Sequence, residues 1–199
     1  MNQKEYFNNS SSTWDEKFLT PKLSAFLEKL VPQFHLKSGQ NILDVGTGTG
    51  ALIPYLFKAV GSDGTVTAID YSEKMVKVSK SKYSHIKNIN IKIGDIEEDI
   101  FPAETFHAVV CFGVFPHLEH KEKVLQNINS MLKTGGKLVI AHALSSEELK
   151  THHKEVSKHV ANSVLPEEAQ MKRLLEQARF TQITINDEPG CYFCLANKA

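Results

Sequence analysis

The sequence predicts an α/β protein whose mostly parallel sheet is covered by helices on both faces. Apolar runs of strand length alternate with helical segments five times along the chain. These runs are nearly continuous, as in parallel strands that are buried on both sides. The last two runs are joined by residues 186–190 alone, which is too short for a crossover helix and predicts an antiparallel hairpin. The expected sheet therefore has seven strands.

Composition and charge limit the class of protein. Of the 199 residues, 41% are apolar and 23% are charged, which is typical of a folded globular protein. Lys and Arg together number 23, as do Asp and Glu, so no basic surplus indicates a nucleic-acid partner. Three cysteines are too few for a disulfide framework. The polar first residues and the lack of a long apolar run predict a cytoplasmic protein with no membrane segment.

The elements follow in order from local signals. Thr13, with Glu16 three residues later, predicts a capped helix start, and Pro21 is expected to divide that stretch into two helices. The predicted strands are Ile42–Val45, Thr65–Ile69, Ile89–Ile93, Phe106–Phe112, Leu138–Ala141, Thr181–Ile185 and Cys191–Leu195. The predicted helices are Ala51–Lys58, one capped by Ser72, Lys121–Leu132, Ser146–Asn162 and one that Pro166 opens and that runs to Ala178.

A glycine-rich loop, Asp44–Gly50, directly follows the first strand. Gly46 and Gly48 allow a tight turn and a close approach of the backbone to a ligand. Gly50 is expected to start a helix whose N-terminal amides face the same crevice. Ligands of open α/β sheets bind beyond the carboxyl ends of the strands, where strand order reverses. The loop therefore predicts a ligand site.

The glycine pattern leaves two cofactor classes open. Gly46, Gly48 and Ala51 also satisfy the dinucleotide-binding form G-x-G-x-x-G/A, and Asp70 follows Gly50 by twenty positions. A nicotinamide cofactor and an adenosylated methionine both present ribose hydroxyls to an acid at the end of the second strand. Asp70 suits either of them.

Charge favours the adenosylated methionine. Asp44, Asp70 and Asp95 are expected at the ends of three successive strands. Three carboxylates suit the sulfonium and ammonium groups of S-adenosylmethionine and repel a pyrophosphate. The Tyr-x-x-x-Lys pair of short-chain dehydrogenases has one match, Tyr83 with Lys87, which lies before the third strand. This position argues against that family.

On these motifs the chain resembles the class I S-adenosylmethionine-dependent methyltransferases of the small-molecule type, similar to the ubiquinone/menaquinone-biosynthesis and arsenite methyltransferase groups. The segments that carry the resemblance are Asp44–Gly50, Asp70, Gly94–Ile96, Cys111–His117 and Leu132–Leu138. Thr134 and Gly113 depart from the family, which often has Pro and Asn there. The resemblance implies a Rossmann-like methyltransferase fold with strand order 3-2-1-4-5-7-6, strand 7 antiparallel, S-adenosyl-L-methionine as cofactor and a small-molecule acceptor.

The resemblance also implies a set of site residues. Gly46 and Gly48 would contact the methionine part of the cofactor, and Asp70 would bind the ribose. The complete set is Asp44, Gly46, Thr47, Gly48, Gly50, Asp70, Tyr71, Met75, Asp95, Ile96, Cys111 and Phe112. We expect a single domain with an N-terminal helical lid (1–37), a cofactor-binding core (38–144), a helical insertion over the acceptor site (145–165) and a final helix with the hairpin (166–199).

Methyl transfer from a sulfonium needs a positioned nucleophile and, where that nucleophile is weak, a base. The candidate bases are His117 and His142, which follow the fourth and fifth strands, and the adjacent His152 and His153 on the segment after them. His152 and His159 are seven positions apart and would share a helix face, with His153 turned away. These histidines lack the spacing signature of a metal site, and no metal is expected.

Two alternatives to a methyltransferase remain at this point. One is an NAD(P)-dependent oxidoreductase of Rossmann type, and the other is a non-catalytic module that binds the cofactor. The lysines between Lys74 and Lys87 have no interleaved base-stacking aromatics and indicate a solvated helix face. We therefore expect no nucleic-acid partner, no membrane association, and a monomer or homodimer.

Overall fold

A computed structural model describes residues 2–98 and 101–199 of the chain. Its strands are β1 (Asn41–Val45), β2 (Thr65–Asp70), β3 (Ile89–Ile93), β4 (Phe106–Phe112), β5 (Leu132–His142), β6 (Phe180–Glu188) and β7 (Cys191–Lys198). They form one sheet in the order β3-β2-β1-β4-β5-β7-β6, with β7 antiparallel to both neighbours. The predicted fold, strand order and terminal hairpin are confirmed.

The helices alternate with these strands. They are α1 (Gln3–Ser10), α2 (Trp14–Phe18), α3 (Pro21–Leu30), α4 (Ile53–Val60), α5 (Glu73–Tyr83), α6 (Lys121–Met131), α7 (Ser146–Val156) and α8 (Glu168–Gln177), with 3-10 turns at Val31–Phe34 and Phe115–His117. The chain divides into two compact units, residues 1–95 and residues 96–199. The single-domain organisation stays a prediction.

In the first unit, β1, β2 and β3 are parallel. One face of these strands carries an apolar cluster of fully or almost fully buried side chains. Its members are Ile53, Ala68, Val76, Ile89 and Ile91, with Phe57, Tyr83 and Ile86 packed against them. Because the cluster draws on α4 and α5 as well as on the strands, it fixes both helices to the sheet.

In the second unit, β4 and β5 are parallel, and the hairpin β6–β7 extends the sheet beyond β5. Central residues such as Val109, Val110, Val139 and Ile140 have no exposed surface. This complete burial explains the nearly continuous apolar runs in the sequence.

The N-terminal segment differs from the prediction in two respects. The polar first residues gave no signal for α1, which is held by a capping box between Asn2 and Glu5. Thr13 precedes α2, but its hydroxyl donates to the carbonyl of Ser10 and makes no capping bond, so the predicted capping box is wrong. Pro21 separates α2 from α3 as predicted.

Several element boundaries also need correction. Gly50 does not start a helix, because its φ of +89° is left-handed, and α4 begins at Ile53. The helix expected from Pro166 begins at Glu168, since Glu167 is extended. The segment predicted as helical to residue 162 leaves the helix at Ser157, which has extended backbone angles. Strand β5 begins at Leu132, which pairs with Phe106 ahead of an irregularity in the ladder.

Gly50 is required by packing as well as by its backbone angle. A Cβ at this position would lie 2.7 Å from Ser79 Oγ and 2.7 Å from Tyr83 Cε2 on α5. Distances this short force the neighbouring atoms to move. The glycine therefore sets how closely the loop after β1 approaches α5.

We expect Gly50→Ala to lower the free energy of unfolding by about 2 kcal/mol or more, because left-handed strain and overpacking add. Gly39→Ala is the matched control: its φ is +79°, but a Cβ there meets no atom within 4 Å. Urea unfolding of both variants measures the difference. Equal losses of stability would show that the contact with α5 is not tight.

Candidate functional site

The loop after β1 is folded tightly against the end of β2. The backbone N–H of Thr47 donates to the carbonyl of Ile69 at 2.9 Å, and that of Gly50 donates to the carbonyl of Thr47 at 2.8 Å. Gly46 and Gly48 have φ values of +68° and +55°. The loop thus presents backbone without a Cβ at these two positions, as the sequence predicts.

Asp70 ties this loop to the end of β2. Its Oδ2 accepts a 2.8 Å hydrogen bond from the backbone N–H of Gly48. Its Oδ1 accepts a 2.8 Å hydrogen bond from the backbone N–H of Ser72. A carboxylate has about four lone-pair sites, so Asp70 keeps the capacity to accept further bonds from ligand hydroxyls.

Asp44 is a buried acid with an unsatisfied oxygen. It is 1% exposed, and within the described residues its Oδ2 has no hydrogen-bond partner. Burial raises the pKa of Asp44 to about 7; the Thr47 hydroxyl acts in the opposite direction, and the charge of Asp70 adds to the rise. A carboxylate in this environment is stabilised when a cation binds beside it.

Asp70 is also less acidic than usual. Burial raises the pKa of Asp70 to about 6, and the charge of Asp95 adds to the rise. The hydrogen bonds from the backbone N–H groups of Ser72 and Gly48 act in the opposite direction and lower this pKa. Asp95 is half-buried, and the Gly94 N–H before it donates to the Asp70 carbonyl at 3.1 Å. The three predicted acids of the first unit therefore lie within electrostatic reach of each other.

The predicted adenine contacts fall in both units. In the first unit, Tyr71 follows Asp70 directly, and Met75 is buried in the first turn of α5. In the second unit, Ile96 and Cys111 are buried and Phe112 is half-buried at the end of β4. The contact of these residues with a cofactor stays a prediction.

The N-terminal helices pack on the turn between β2 and α5. Asn8 Oδ1 accepts hydrogen bonds from Ser72 Oγ at 2.8 Å and from the Lys74 N–H at 3.1 Å. The Tyr71 hydroxyl donates to Gln3 Oε1 at 3.1 Å. Sequence reasoning missed Gln3 and Asn8, because single polar residues on a short helix carry no periodic signal.

Two aromatic side chains extend this contact. Phe7 packs against Tyr71 at 6.2 Å and against Trp14 at 5.7 Å between ring centroids. The indole nitrogen of Trp14 would lie 4.0 Å from a Cβ at Gly48. The first helices thus lie over the glycine loop.

The chemistry of the site fits S-adenosylmethionine. The unsatisfied oxygen of Asp44 can meet a cationic group, and the spare lone pairs of Asp70 can accept ribose hydroxyls. A pyrophosphate would instead bring negative charge against Asp44, Asp70 and Asp95. The ligand that suits the three acids Asp44, Asp70 and Asp95 is therefore cationic and carries hydroxyl groups.

The second unit contains a cluster of histidines in which His142 and His153 are buried and His117 is half-buried. The rings of His117 and His153 are 4.9 Å apart between centroids. His142 is the last residue of β5 and pairs across the ladder with Tyr192 on β7, with ring centroids 6.5 Å apart. Burial lowers the pKa values of His117 and His142 to about 3, so both are neutral near pH 7.

The histidines of α7 are arranged differently from the prediction. His153 is 6% exposed and faces His117, whereas His152 is only half-buried. His159 lies beyond the end of α7 at Val156, so the helix face predicted for His152 and His159 is wrong. The spacing of Leu149 and His153, one helical turn apart, could have indicated the buried face.

Two further findings concern metals and membranes. Across residues 2–98 and 101–199, no three His, Cys, Asp or Glu side chains form a group that could hold a metal ion. No helix in the same ranges has the length and apolar character needed to cross a bilayer.

Known proteins resemble this chain over most of its length. Residues 36–186 match a family described as a methyltransferase domain. The chain is 28% identical to a demethylmenaquinone methyltransferase of Staphylococcus haemolyticus, over 92% of the chain and 87% of the relative. A relative of the same name from Staphylococcus aureus is 34% identical over 56% of the chain, and that match spans 46% of the relative.

A solved structure shows the same similarity. The crystal structure of an S-adenosylmethionine-dependent methyltransferase from Aquifex aeolicus has a TM-score of 0.70 and 27% sequence identity to the chain. The match covers 87% of the chain and 89% of that protein. The oxidoreductase alternative finds no support in these similarities.

The raised pKa of Asp44 predicts how the ligand-free protein responds to pH. The pKa is 3.8 in an unfolded chain and about 7 when folded. The contribution of Asp44 to the stability of the folded protein is therefore fully present below pH 3.8. It is lost as the pH rises through about 7. We expect the free energy of unfolding to fall by about 4 kcal/mol across this window from this group, at about 1.4 kcal/mol per pKa unit.

Asp44→Asn should remove this part of the pH dependence, because the amide does not titrate. Asp63→Asn, which changes an exposed loop carboxylate, serves as the control and should behave as the wild type. Urea unfolding across the pH window measures all three proteins. The assignment of the buried charge would be wrong if Asp44→Asn and wild type gave parallel curves.

Proposed function

The chain belongs to the methyltransferase family and is an S-adenosylmethionine-dependent enzyme that methylates a small molecule by in-line displacement, and from this premise we propose which residues bind the cofactor and which meet the acceptor. The cofactor residues proposed for the first unit are Asp44, Gly46, Thr47, Gly48, Gly50, Asp70, Tyr71, Met75 and Asp95. From the second unit, we add Ile96, Cys111 and Phe112.

One observation carries this proposal, the buried oxygen of Asp44 that has no partner in the described part of the chain. A positively charged sulfonium or ammonium group beside it would replace the lost hydration. Asp70 supports the same assignment, because its two backbone hydrogen bonds orient the carboxylate and leave lone pairs for the ribose hydroxyls. Gly46 and Gly48 leave room for a ligand to contact the loop backbone.

Bound S-adenosylmethionine supplies a methyl group that is already activated by the positive sulfur. The residues of the chain then have three tasks: to orient the acceptor, to exclude water and to accept a proton. Orientation alone accounts for about 7–11 kcal/mol of barrier reduction in favourable intramolecular reactions. This is why no fixed set of catalytic residues is needed for the fold to catalyse methyl transfer.

For the acceptor, we propose a neutral ring that carries a hydroxyl or keto group. Within the described residues, His142 Nε2 and the Tyr192 hydroxyl are buried and have no hydrogen-bond partner. Each can exchange a hydrogen bond with an oxygen of the acceptor. Demethylmenaquinone, which the names of the Staphylococcus relatives contain, is the model compound for this class in its reduced, hydroxylated form.

The remaining assignments complete the proposal. Residues 1–37 serve as a lid, which the contacts of Asn8 and Trp14 support, and residues 145–165 cover the acceptor. A role of His117, His142 or His152 in proton removal stays a prediction. So do the cytoplasmic location and the monomeric or homodimeric state.

The cofactor site is tested by binding. We expect Asp70→Ala and Gly48→Ala each to weaken S-adenosylmethionine binding about thirtyfold or more, the equivalent of about 2 kcal/mol. Asp70→Ala removes the proposed ribose acceptor and the hydrogen bond that holds the Gly48 N–H. Gly48→Ala adds a methyl group at a left-handed position, 4.0 Å from the indole nitrogen of Trp14. Calorimetry with S-adenosylmethionine and S-adenosylhomocysteine gives the affinities.

The exposed Asp63→Asn should bind like the wild type, and NAD should give no heat with any of these proteins. Unchanged affinities in the Asp70 and Gly48 variants, measured on folded protein, would overturn the site. Heat with NAD but not with S-adenosylmethionine would favour the oxidoreductase alternative.

A further inference from the structure

Helix α7 is held in place by the β6–β7 hairpin. Asp187 accepts hydrogen bonds from the Ser146 backbone N–H at 2.9 Å and from the Ser146 hydroxyl at 2.5 Å. Glu148 Oε2 accepts from the Ser145 N–H at 2.8 Å and from the Gly190 N–H at 2.7 Å. Three of these bonds fix the start of the helix to the hairpin, and the bond from Ser145 to Glu148 belongs to the capping box of the helix itself.

This anchoring determines which histidine of α7 points inward. Leu149 and His153 are one helical turn apart and both are buried. His152 is rotated by about 100° from His153 around the helix and is half-buried. Of the two, His153 therefore contacts the ring of His117.

The hydrogen bond of His153 fixes its proton. Nδ1 lies 2.5 Å from the backbone carbonyl oxygen of Ser163. A carbonyl can only accept, so Nδ1 carries the hydrogen and, in the neutral ring, Nε2 carries the lone pair. The same carbonyl would stabilise the ring if Nε2 gained a proton, because the bond from an imidazolium is stronger.

From this geometry we infer that His153, oriented by the Ser163 carbonyl, is the residue that removes the proton of the acceptor. The inference rests on the proposed function, which supplies the methyl transfer. The acceptor hydroxyl gives its proton to Nε2, and the electron density released into the ring lets a ring carbon form the bond to the methyl carbon. The hydrogen of that ring carbon then leaves as a proton to water, which restores the aromatic ring, and the ring oxygen takes up a proton from water. The pair of the broken carbon–sulfur bond stays on sulfur, and the imidazolium later returns its proton to water.

The groups around His153 agree with this role. Burial lowers the pKa of His153, and the bond to Ser163 acts against that shift. His117 on the turn after β4 and His142 on β5 remain neutral, since their pKa values are about 3, and imidazoles this weakly basic remove protons poorly. His152 on α7 also acts on the pKa of His153 and lowers it. Lys121 on α6 lowers the pKa of the neighbouring His117, and its Nζ donates to the Leu118 and Pro116 carbonyls.

Two substitutions separate a base from a structural anchor. His153→Asn keeps an amide N–H at the position of Nδ1 and so can retain the bond to Ser163, but it has no atom at Nε2. His153→Gln places its amide nitrogen near the position of Nε2. His120→Gln, which changes an exposed histidine before α6, is the matched control.

With reduced demethylmenaquinone as the probe, we expect both His153 variants to lower kcat about a hundredfold or more. KM and the affinity for S-adenosylmethionine should change little, and His120→Gln should match the wild type. The rise of kcat with pH that reports deprotonation of His153 should be absent from both variants. Restoration of kcat by His153→Asn would overturn the inference, because it would reduce His153 to an anchor for Ser163.

A second measurement does not depend on the acceptor. Nitrogen-15 NMR of the histidine rings should find the His153 hydrogen on Nδ1 and should find that His153 protonates at a higher pH than His117 and His142. A hydrogen on Nε2, or protonation of His153 after the other two, would overturn the inference. If the wild type does not methylate the probe, the proposed acceptor is wrong, whereas an NMR result against the predicted tautomer or order of protonation would still overturn the inference for His153.

Discussion

The two hydrogen bonds of the Asp70 carboxylate are the constraint on which the first unit of this protein depends. One bond holds Gly48 and the other holds Ser72, so one side chain sets both the shape of the loop after β1 and the start of α5. The Ser72 hydroxyl in turn caps α5 and contacts Asn8. Loop, helix and N-terminal segment are thereby positioned by a single buried acid.

Much of this arrangement could be predicted from the sequence, because it depends on local signals. The apolar runs give the strands, and Gly46, Gly48 and Asp70 give the loop and the acid that faces it. Helix and strand ends were less predictable. The sequence predicts a helix start at Gly50, but its left-handed backbone angle places it in a tight turn. Ser79 lies so close that a Cβ at this position would not fit without movement.

The residues that escaped prediction act through contacts distant in sequence. Asn8 matters because Ser72 lies beside it, and Tyr192 matters because the hairpin register sets it opposite His142. The prediction placed His152 and His159 on one helix face and left the buried face of α7 unassigned. The contacts that hold α7 on the hairpin come from Asp187 and Gly190, about forty residues further along the chain. Within α7, the spacing of Leu149 and His153, one helical turn apart, is a partial signal of the buried face.

The attachment of α7 to the hairpin also has an evolutionary consequence. The groups that hold this helix, the Asp187 carboxylate and the Gly190 backbone N–H, come from the C-terminal hairpin, whereas the glycine loop and the acids near it follow the first three strands. Under the proposed assignment of residues 145–165 to the acceptor, mutations in the hairpin would change which compounds are methylated and leave the proposed donor residues of the first three strands unchanged. Related enzymes could then evolve different acceptor specificities while the binding of the methyl donor stays the same.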